Sequence, residues 1–372
     1  MADESRHNLD YTMTLRAIAL ASKGIGRVSP SPLVGCVIVS KKGDVVGEGF
    51  YTFDGVTHAE IQALAKAREL ARGGTAYVSL EPHDHHGKTP PCTEALINAG
   101  VVRVVCPIED PNPLVSGRGF ESLRKAGVEV VTGIAASEAS KLNEKFICWH
   151  RKGRPFVHLK LAMSLDGRIS LNGSVSTALS GPEAFTRVHA LRHEYDAILV
   201  GGNTAVVDDP GLTDRSGSLR RRHLVRVILD NRLQVEEGLQ IVKTAGQIPT
   251  IIFTKPENDS RTDKLRKYGV EVIATLPRGA RDIAGVLAEL KIREIQSVLV
   301  EGGAEVAGAF CDAHLVDKLT FIAAPLVIGG KDAPVAIGGR GASSLESALK
   351  IADLSVNMIG DDVEITGYPT AA

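Results

Sequence analysis

The chain has 372 residues, 44% hydrophobic, 4% aromatic and 23% charged, which is enough for two domains, each with its own core. The low aromatic share suits an α/β protein with Val-, Ile-, Leu- and Ala-rich strands better than an aromatic-rich sandwich. A formal net charge of −1 provides no basic face, so nucleic acid is not the expected partner and a small molecule is favoured.

Five cysteines, Cys36, Cys92, Cys106, Cys148 and Cys311, are scattered and odd in number, which argues against a disulfide framework. Residues 1–12 carry Asp3, Glu4, Arg6, His7 and Asp10 without an apolar h-region. No apolar run reaches the ~18 residues of a membrane span. The expectation is a cytoplasmic protein with no membrane partner.

In chain order, Tyr11 to Lys23 has a helical apolar pattern through Met13, Leu15, Ile18 and Leu20, ended by Gly24 and Gly26. Ser29-Pro30-Ser31-Pro32 reads as a rigid turn into a strand from Val34 to Val39, with a hairpin at Gly43 to Gly47. Thr57 is the expected N-cap of a helix containing Ile61, Leu64, Ala67 and Leu70. Strands at Ala76–Leu80, Val101–Cys106 and Val128–Val131 alternate with helices at Thr93–Asn98 and Gly119–Ala126, and a polar helix Ser137–Phe146 leads out. The expected boundary gives domains 1–147 and 148–372.

The second domain restarts with a strand at Phe156–Met163, then a helix at Pro182–Tyr195 and a strand at Ala197–Val200 that ends in Gly201-Gly202. Further buried strands are expected at Leu224–Asp230, Thr250–Thr254 and Ser297–Val300, with helices near Asp282–Leu290 and Ala304–Ala313. Such alternation implies a mostly parallel sheet. Arg220-Arg221-Arg222 reads as a solvated run, and Asp166 as part of a tight Asp-Gly turn.

The chemistry concentrates in His58-Ala59-Glu60 and the stretch from Glu81 to Cys92. A zinc-dependent deaminase needs three protein ligands, an open position for water, and a carboxylate that moves protons without binding the metal. His58 and Cys92 are ligand candidates and Glu60 is the proton carrier. Cys normally follows the Pro of the second motif; His83 stands there, and imidazole is also a good zinc ligand. His85 and His86 are competing candidates.

The sequence resembles bacterial bifunctional riboflavin-biosynthesis deaminase-reductases, on the loop His85-His86-Gly87-Lys88-Thr89-Pro90-Pro91-Cys92 and on Val34-Gly35-Cys36-Val37-Ile38-Val39, Asp110-Pro111-Asn112-Pro113, Ser164-Leu165-Asp166-Gly167-Arg168, Asp208-Asp209-Pro210 and Val300-Glu301-Gly302-Gly303. The resemblance covers about residues 10 to 368. It implies a cytidine-deaminase-like three-layer α/β/α domain followed by a dihydrofolate-reductase-like α/β domain. The implied reactions are zinc-dependent deamination of a phosphorylated diaminopyrimidine and NADPH-dependent reduction of its ribosyl group to ribityl.

On that resemblance, Glu60 is catalytic and His58, His83 and Cys92 hold one Zn2+ per chain. Ala162, Thr204, Asp208, Gly303, Ala304, Glu305, Val306, Ala307, Gly308 and Ala309 bind NADPH. Lys160, Ser176, Arg192, Leu212, Arg215 and Glu301 bind substrate, the two arginines suiting a phosphate. The resemblance also implies a homo-oligomer. His83 departs from the family's Cys, Ser31 from the Asn of its Pro-Asn-Pro turn, and Ala178 from a Trp of the nicotinamide site. A second reading is a monofunctional reductase whose deaminase-like domain is structural; zinc content and ammonia release separate the two.

Overall fold

The computed structural model describes residues 2–53, 56–86, 90–173, 175, 177–255, 259–274 and 276–370. The chain divides into two compact units, Met1–Gly153 and Arg154–Ala372. Among the described residues, no helix is long and apolar enough to cross a membrane.

The first unit runs α1 (Ala2–Ala21), β1 (Gly35–Val39), β2 (Val45–Phe50), α2 (Ala59–Ala67), β3 (Thr75–Val78), α3 (Cys92–Asn98), β4 (Arg103–Cys106), α4 (Arg118–Lys125), β5 (Glu129–Thr132), α5 (Ala136–Leu142) and α6 (Glu144–Lys152). Its sheet has the order β2-β1-β3-β4-β5. β1 is antiparallel to both neighbours, whereas β3, β4 and β5 are parallel.

Alternation along β1 separates two cores. Cys36 and Ile38 pack with Ala59 and Ala63 of α2, Leu96 of α3 and Leu123 of α4. Val37 and Val39 pack with Ala17 of α1. Helices therefore cover both faces of the sheet, giving the three-layer arrangement.

α1 starts at Ala2, well before the expected Tyr11. Its first turns carry no apolar stripe and are anchored by polar contacts. Asp10 is buried and accepts from the Tyr77 hydroxyl (2.9 Å) and both terminal nitrogens of Arg103 (2.7 Å each), while Arg6 pairs with Glu129 at 3.0 Å. The expected helix Ser137–Phe146 is instead two helices meeting at Asn143. The Asn143 amide spends its hydrogen bonds on Leu33, accepting from its N–H and donating to its carbonyl at 2.9 Å each. Side chains that bond main chain in this way compete with a continuous helix.

The second unit runs β6 (Phe156–Ser164), α7 (Pro182–Glu194), β7 (Ala197–Gly201), α8 (Gly202–Asp208), β8 (Val225–Leu229), α9 (Gln240–Lys243), β9 (Thr250–Phe253), α10 (Asp259–Lys267), β10 (Glu271–Ile273), α11 (Ile283–Ile292), β11 (Ser297–Val300), α12 (Ala304–Asp312), β12 (Lys318–Ala324), β13 (Ile351–Ile359) and β14 (Asp362–Pro369). The nine strands are ordered β10-β9-β8-β7-β11-β6-β12-β14-β13. All neighbours are parallel as far as β12, and β14 and β13 add antiparallel. α11 and α12 cover one face through Val286, Leu290, Ala307 and Phe310; α8, α9 and α10 cover the other through Ala205, Ile241 and Leu265.

The arginine run is not uniformly solvated. Arg220 donates to the carbonyls of Arg192, His193 and Tyr195 at 2.7–3.0 Å, so its charge serves the C-terminal end of α7, where a helix dipole favours a cation.

Candidate active sites

In the first unit the site is assembled from two helix starts and a strand end. His58, not Thr57, is the N-cap of α2, in extended conformation and with no side-chain capping bond. Glu60 lies in the first turn and Cys92 is the first residue of α3. β2 seats α2 closely, because Gly47 and Gly49 face it: a Cβ there would lie 2.1 Å from the Ala63 carbonyl and 2.3 Å from that of Ala59. No other residue permits this approach.

The ligand atoms of His58, His83 and Cys92 all lie within 4.8 Å of one another. Among the described residues, no other group of three such side chains does so. The His58 and His83 ring centroids are 4.5 Å apart, and His85 is 5.1 Å from His83. His86 is exposed, beside Glu94 at 3.5 Å.

Burial pushes the His83 imidazole down to about 4, helped by the neighbouring His58 and His85, and burial lowers His58 in the same way. Both rings are thus neutral and keep a lone pair for a metal. Burial drives the Cys92 thiol strongly up, with the Glu60 charge adding to it, and burial also raises Glu60. A divalent cation reverses the preference at Cys92 by stabilising the thiolate.

Glu60 is 3% exposed and its Oε2 is buried without a hydrogen-bond partner among the described residues. Buried carboxylate oxygens are almost always bonded. Three borderline or soft donors beside an orphaned carboxylate oxygen fit a catalytic zinc site with one position left for water.

A cavity of about 370 Å³ opens beside these residues, lined in part by Ser31, Tyr51, His85 and Asp110. Burial, with the Glu81 charge adding, pushes Asp110 up to about 6. Two residues that the sequence reading missed hold the walls. Glu81, buried, accepts the backbone N–H groups of Asp110, Gly117, Gly119 and Phe120 at 2.9–3.3 Å. Asp84 accepts the hydroxyls of Thr93 and of Ser122, the latter at 2.6 Å, tying the His83 loop to α3 and α4. Their position beside a candidate ligand was the available signal.

In the second unit a cavity of about 470 Å³ lies at the C-terminal ends of β6, β7 and β11, where open α/β sheets present ligands. Ala162, Thr204, Asp208, Gly303, Ala304, Glu305 and Val306 line it, as do Lys160 and Glu301. The other members of the expected cofactor set do not line it: Ala307 is fully buried in the core, Ala309 packs against that core, and Gly308 lies against the Gly338 backbone. Ala178 does not line it either. Gly303 caps α12 at φ 68° and ψ 150°, a conformation that is essentially Gly-only. A Cβ there would meet the Thr204 Oγ1 at 3.0 Å.

Arg192 grips Glu301 with two hydrogen bonds, 2.8 and 3.1 Å, and donates a third to the Thr213 carbonyl. Lys160 is 3.8 Å from the same carboxylate. Burial pushes Lys160 down against the pull of Glu301, whereas Lys160 and Arg192 outweigh burial and hold Glu301 low. Leu212 is buried in the core at φ 48° and Arg215 is exposed. Ser176 lies outside the described residues. Asp166 is structural, as expected: the Ser164 hydroxyl and the Ile328 and Gly329 N–H groups hold it down to about 2.

Residues 155–365 match the family model of the RibD C-terminal domain, and residues 7–108 that of the cytidine and deoxycytidylate deaminase zinc-binding region. The riboflavin biosynthesis protein RibD of Actinobacillus pleuropneumoniae is 40% identical over 96% of this chain and 94% of its own length. The Escherichia coli (strain K12) protein of that name is 39% identical over 95% and 97%. The structure of Acinetobacter baumannii RibD, form 1, is similar with a TM-score of 0.87 at 34% identity, covering 98% of this chain and 100% of that one. That of the diaminohydroxyphosphoribosylaminopyrimidine deaminase/5-amino-6-(5-phosphoribosylamino)uracil reductase from Thermotoga maritima reaches 0.86 at 35%, with the same coverage. Two domains of these kinds in one polypeptide, matched over nearly its whole length, place the chain in the RibD family of bifunctional riboflavin-biosynthesis enzymes, a zinc-binding deaminase joined to a reductase.

Proposed function

We propose that the chain hydrolytically deaminates 2,5-diamino-6-ribosylamino-4(3H)-pyrimidinone 5′-phosphate and then reduces the ribosyl group of the product to ribityl with NADPH. The activities divide between the two compact units, deamination in Met1–Gly153 and reduction in Arg154–Ala372, later than the expected 147/148 boundary because α6 runs on to Lys152. One observation carries the deaminase half: the convergence of His58, His83 and Cys92 beside the unpartnered Oε2 of Glu60.

Zinc, when bound, supplies the Lewis acidity that makes water nucleophilic near neutral pH. His58, His83 and Cys92 are the ligands of one ion per chain. Glu60 takes the proton of the attacking water at Oε2 and delivers it to the departing amino nitrogen, which leaves as ammonia. Burial suits it to that task, since a raised carboxyl both accepts and returns a proton.

In the reductase half, NADPH supplies the hydride. Ala162, Thr204, Asp208 and Gly303 to Val306, which line the cavity, are its binding residues, with the N-terminus of α12 facing an anionic group. Lys160 and Glu301, fixed by Arg192, face the sugar; Ser176, Leu212 and Arg215 complete the substrate set. A homo-oligomer is supported by β13, an edge strand that exposes Leu354, Val356 and Met358 on one face.

The test measures ammonia release and NADPH oxidation separately, before and after chelation. Chelated protein is expected to lose ammonia release, regain it with added zinc, and keep NADPH oxidation on the deaminated intermediate. Full ammonia release from metal-free protein, or no NADPH oxidation on that intermediate, contradicts the proposal.

A further inference from the structure

One face of α7 holds the loop that follows α8. Residues 189, 192 and 193 lie at helical spacing on one side of the helix and each engages a different residue of that loop. Arg192 donates to the Thr213 carbonyl at 3.1 Å, the His193 Nδ1 is 2.9 Å from the Asp214 carboxylate, and the Arg215 N–H donates to the His189 Nδ1 at 3.1 Å.

The last contact fixes a proton. A ring nitrogen that accepts a backbone N–H carries no hydrogen, so neutral His189 holds its hydrogen on Nε2. His189 is 5% exposed, and Nε2 is buried without a hydrogen-bond partner among the described residues. Among the described residues, the loop bonds only the Nδ1 of this ring, which otherwise meets Phe185 edge-on at 4.6 Å between centroids. A buried donor left unmade is costly, and such exceptions call for a reason.

The charges around His189 indicate what the donor is for. Its charged neighbours are Arg192, Arg215, Glu301 and Asp214. Arg192 is committed to Glu301 and Thr213, and Asp214 to His193 and Arg220. Arg215 is the exposed cation of the group, its Nε directed to the Thr213 hydroxyl at 3.2 Å. Arg192 has given three of its five N–H donors to Glu301 and Thr213, which leaves at most two for a phosphate. The His189 Nε2–H is a further donor beside the exposed Arg215.

We propose that His189 is a substrate-binding residue of the reductase site, its Nε2–H donating to the phosphoryl group of the sugar phosphate beside Arg215. This rests on the assignment of the loop around Leu212 and Arg215 to substrate, and it adds a residue and a chemical role to that site.

The test uses the full chain with its intermediate and with the dephosphorylated form. His189→Asn keeps an acceptor where Nδ1 stands and removes the Nε2–H, leaving the loop held. The expected result is a KM for the phosphorylated intermediate raised about 10-fold to 100-fold, the loss of one hydrogen bond to a charged group. The KM for NADPH and for the dephosphorylated form stay within twofold. An equal change for both sugars, or no change for either, overturns the proposal. If His189→Asn does not fold, wild-type protein labelled with 15N-histidine decides: inorganic phosphate shifts the His189 Nε2–H resonance, and an unmoved resonance at saturating phosphate overturns the proposal. Wild-type protein that fails to oxidise NADPH on the intermediate would defeat the substrate assignment itself, a different outcome from a normal wild type beside an unaffected His189→Asn.

Discussion

Replacing Glu81 by Gln tests how the deaminase pocket is built. Each carboxylate oxygen accepts two backbone N–H groups, Oε1 those of Gly119 and Phe120 and Oε2 those of Asp110 and Gly117. An amide nitrogen placed on either side faces two donors and accepts from neither. Two buried donors left unpaired cost about 1–3 kcal/mol each, so the first unit loses about 2–6 kcal/mol, or about 5–20 °C in Tm for a domain of this size. The chain has a single tryptophan, Trp149 in α6, so its fluorescence follows unfolding of the first unit in urea while NADPH oxidation reports on the second. Glu81→Gln is expected to lower the fluorescence midpoint, raise the KM for deamination through the displaced 110–117 loop, and leave the reductase unchanged. A midpoint within about 1 kcal/mol of wild type would refute this reasoning.

Three further outcomes are expected. Gly303→Ala forces a side chain into the Gly-only conformation at the start of α12, at about 1–3 kcal/mol; the KM for NADPH should rise about 5-fold to 150-fold with deamination untouched, as steady-state kinetics would show. Burial alone would raise the Asp10 carboxyl, but bonds from Arg103 and Tyr77 and the Arg103 charge hold it below 3.8. The stability it contributes is therefore present above that value and is lost as pH falls through the lower folded value. Acid titration of the Trp149 signal should show this limb, and Asp10→Asn should abolish it. Met358→Lys places a charge on the exposed face of β13, and light scattering should find a smaller assembly than wild type.

The legibility of this fold followed how local its signals are. The strands of the parallel core, such as β8 and β11, are short buried runs between turn residues and were readable to within a residue or so. β13 was not: its exposed Leu354, Val356 and Met358 lack a buried partner face, and a register shift between Ala352 and Ser355, with Asp353 at φ 49°, breaks its alternation. The first turns of α1 escaped because ion pairs with residues more than ninety positions away hold them. The same division runs through the sites. His58, Glu60 and Cys92 sit at helix starts that sequence spacing marks, and His83 was found through its place in the loop. Glu81, Asp84 and His189 draw their roles from distant partners that no periodicity reveals. The resemblance makes Arg192 a substrate contact suited to a phosphate, and the structure engages three of its N–H donors with Glu301 and Thr213.

The central claim is that His83 serves as a zinc ligand where the sequence resemblance implies a cysteine, and it is tested most directly by metal analysis of His83→Ala beside wild type and His83→Cys. The expected result is one zinc per chain in wild type and in His83→Cys, and little zinc with no ammonia release in His83→Ala, while all three oxidise NADPH on the deaminated intermediate. One zinc per chain and undiminished ammonia release in His83→Ala would contradict it.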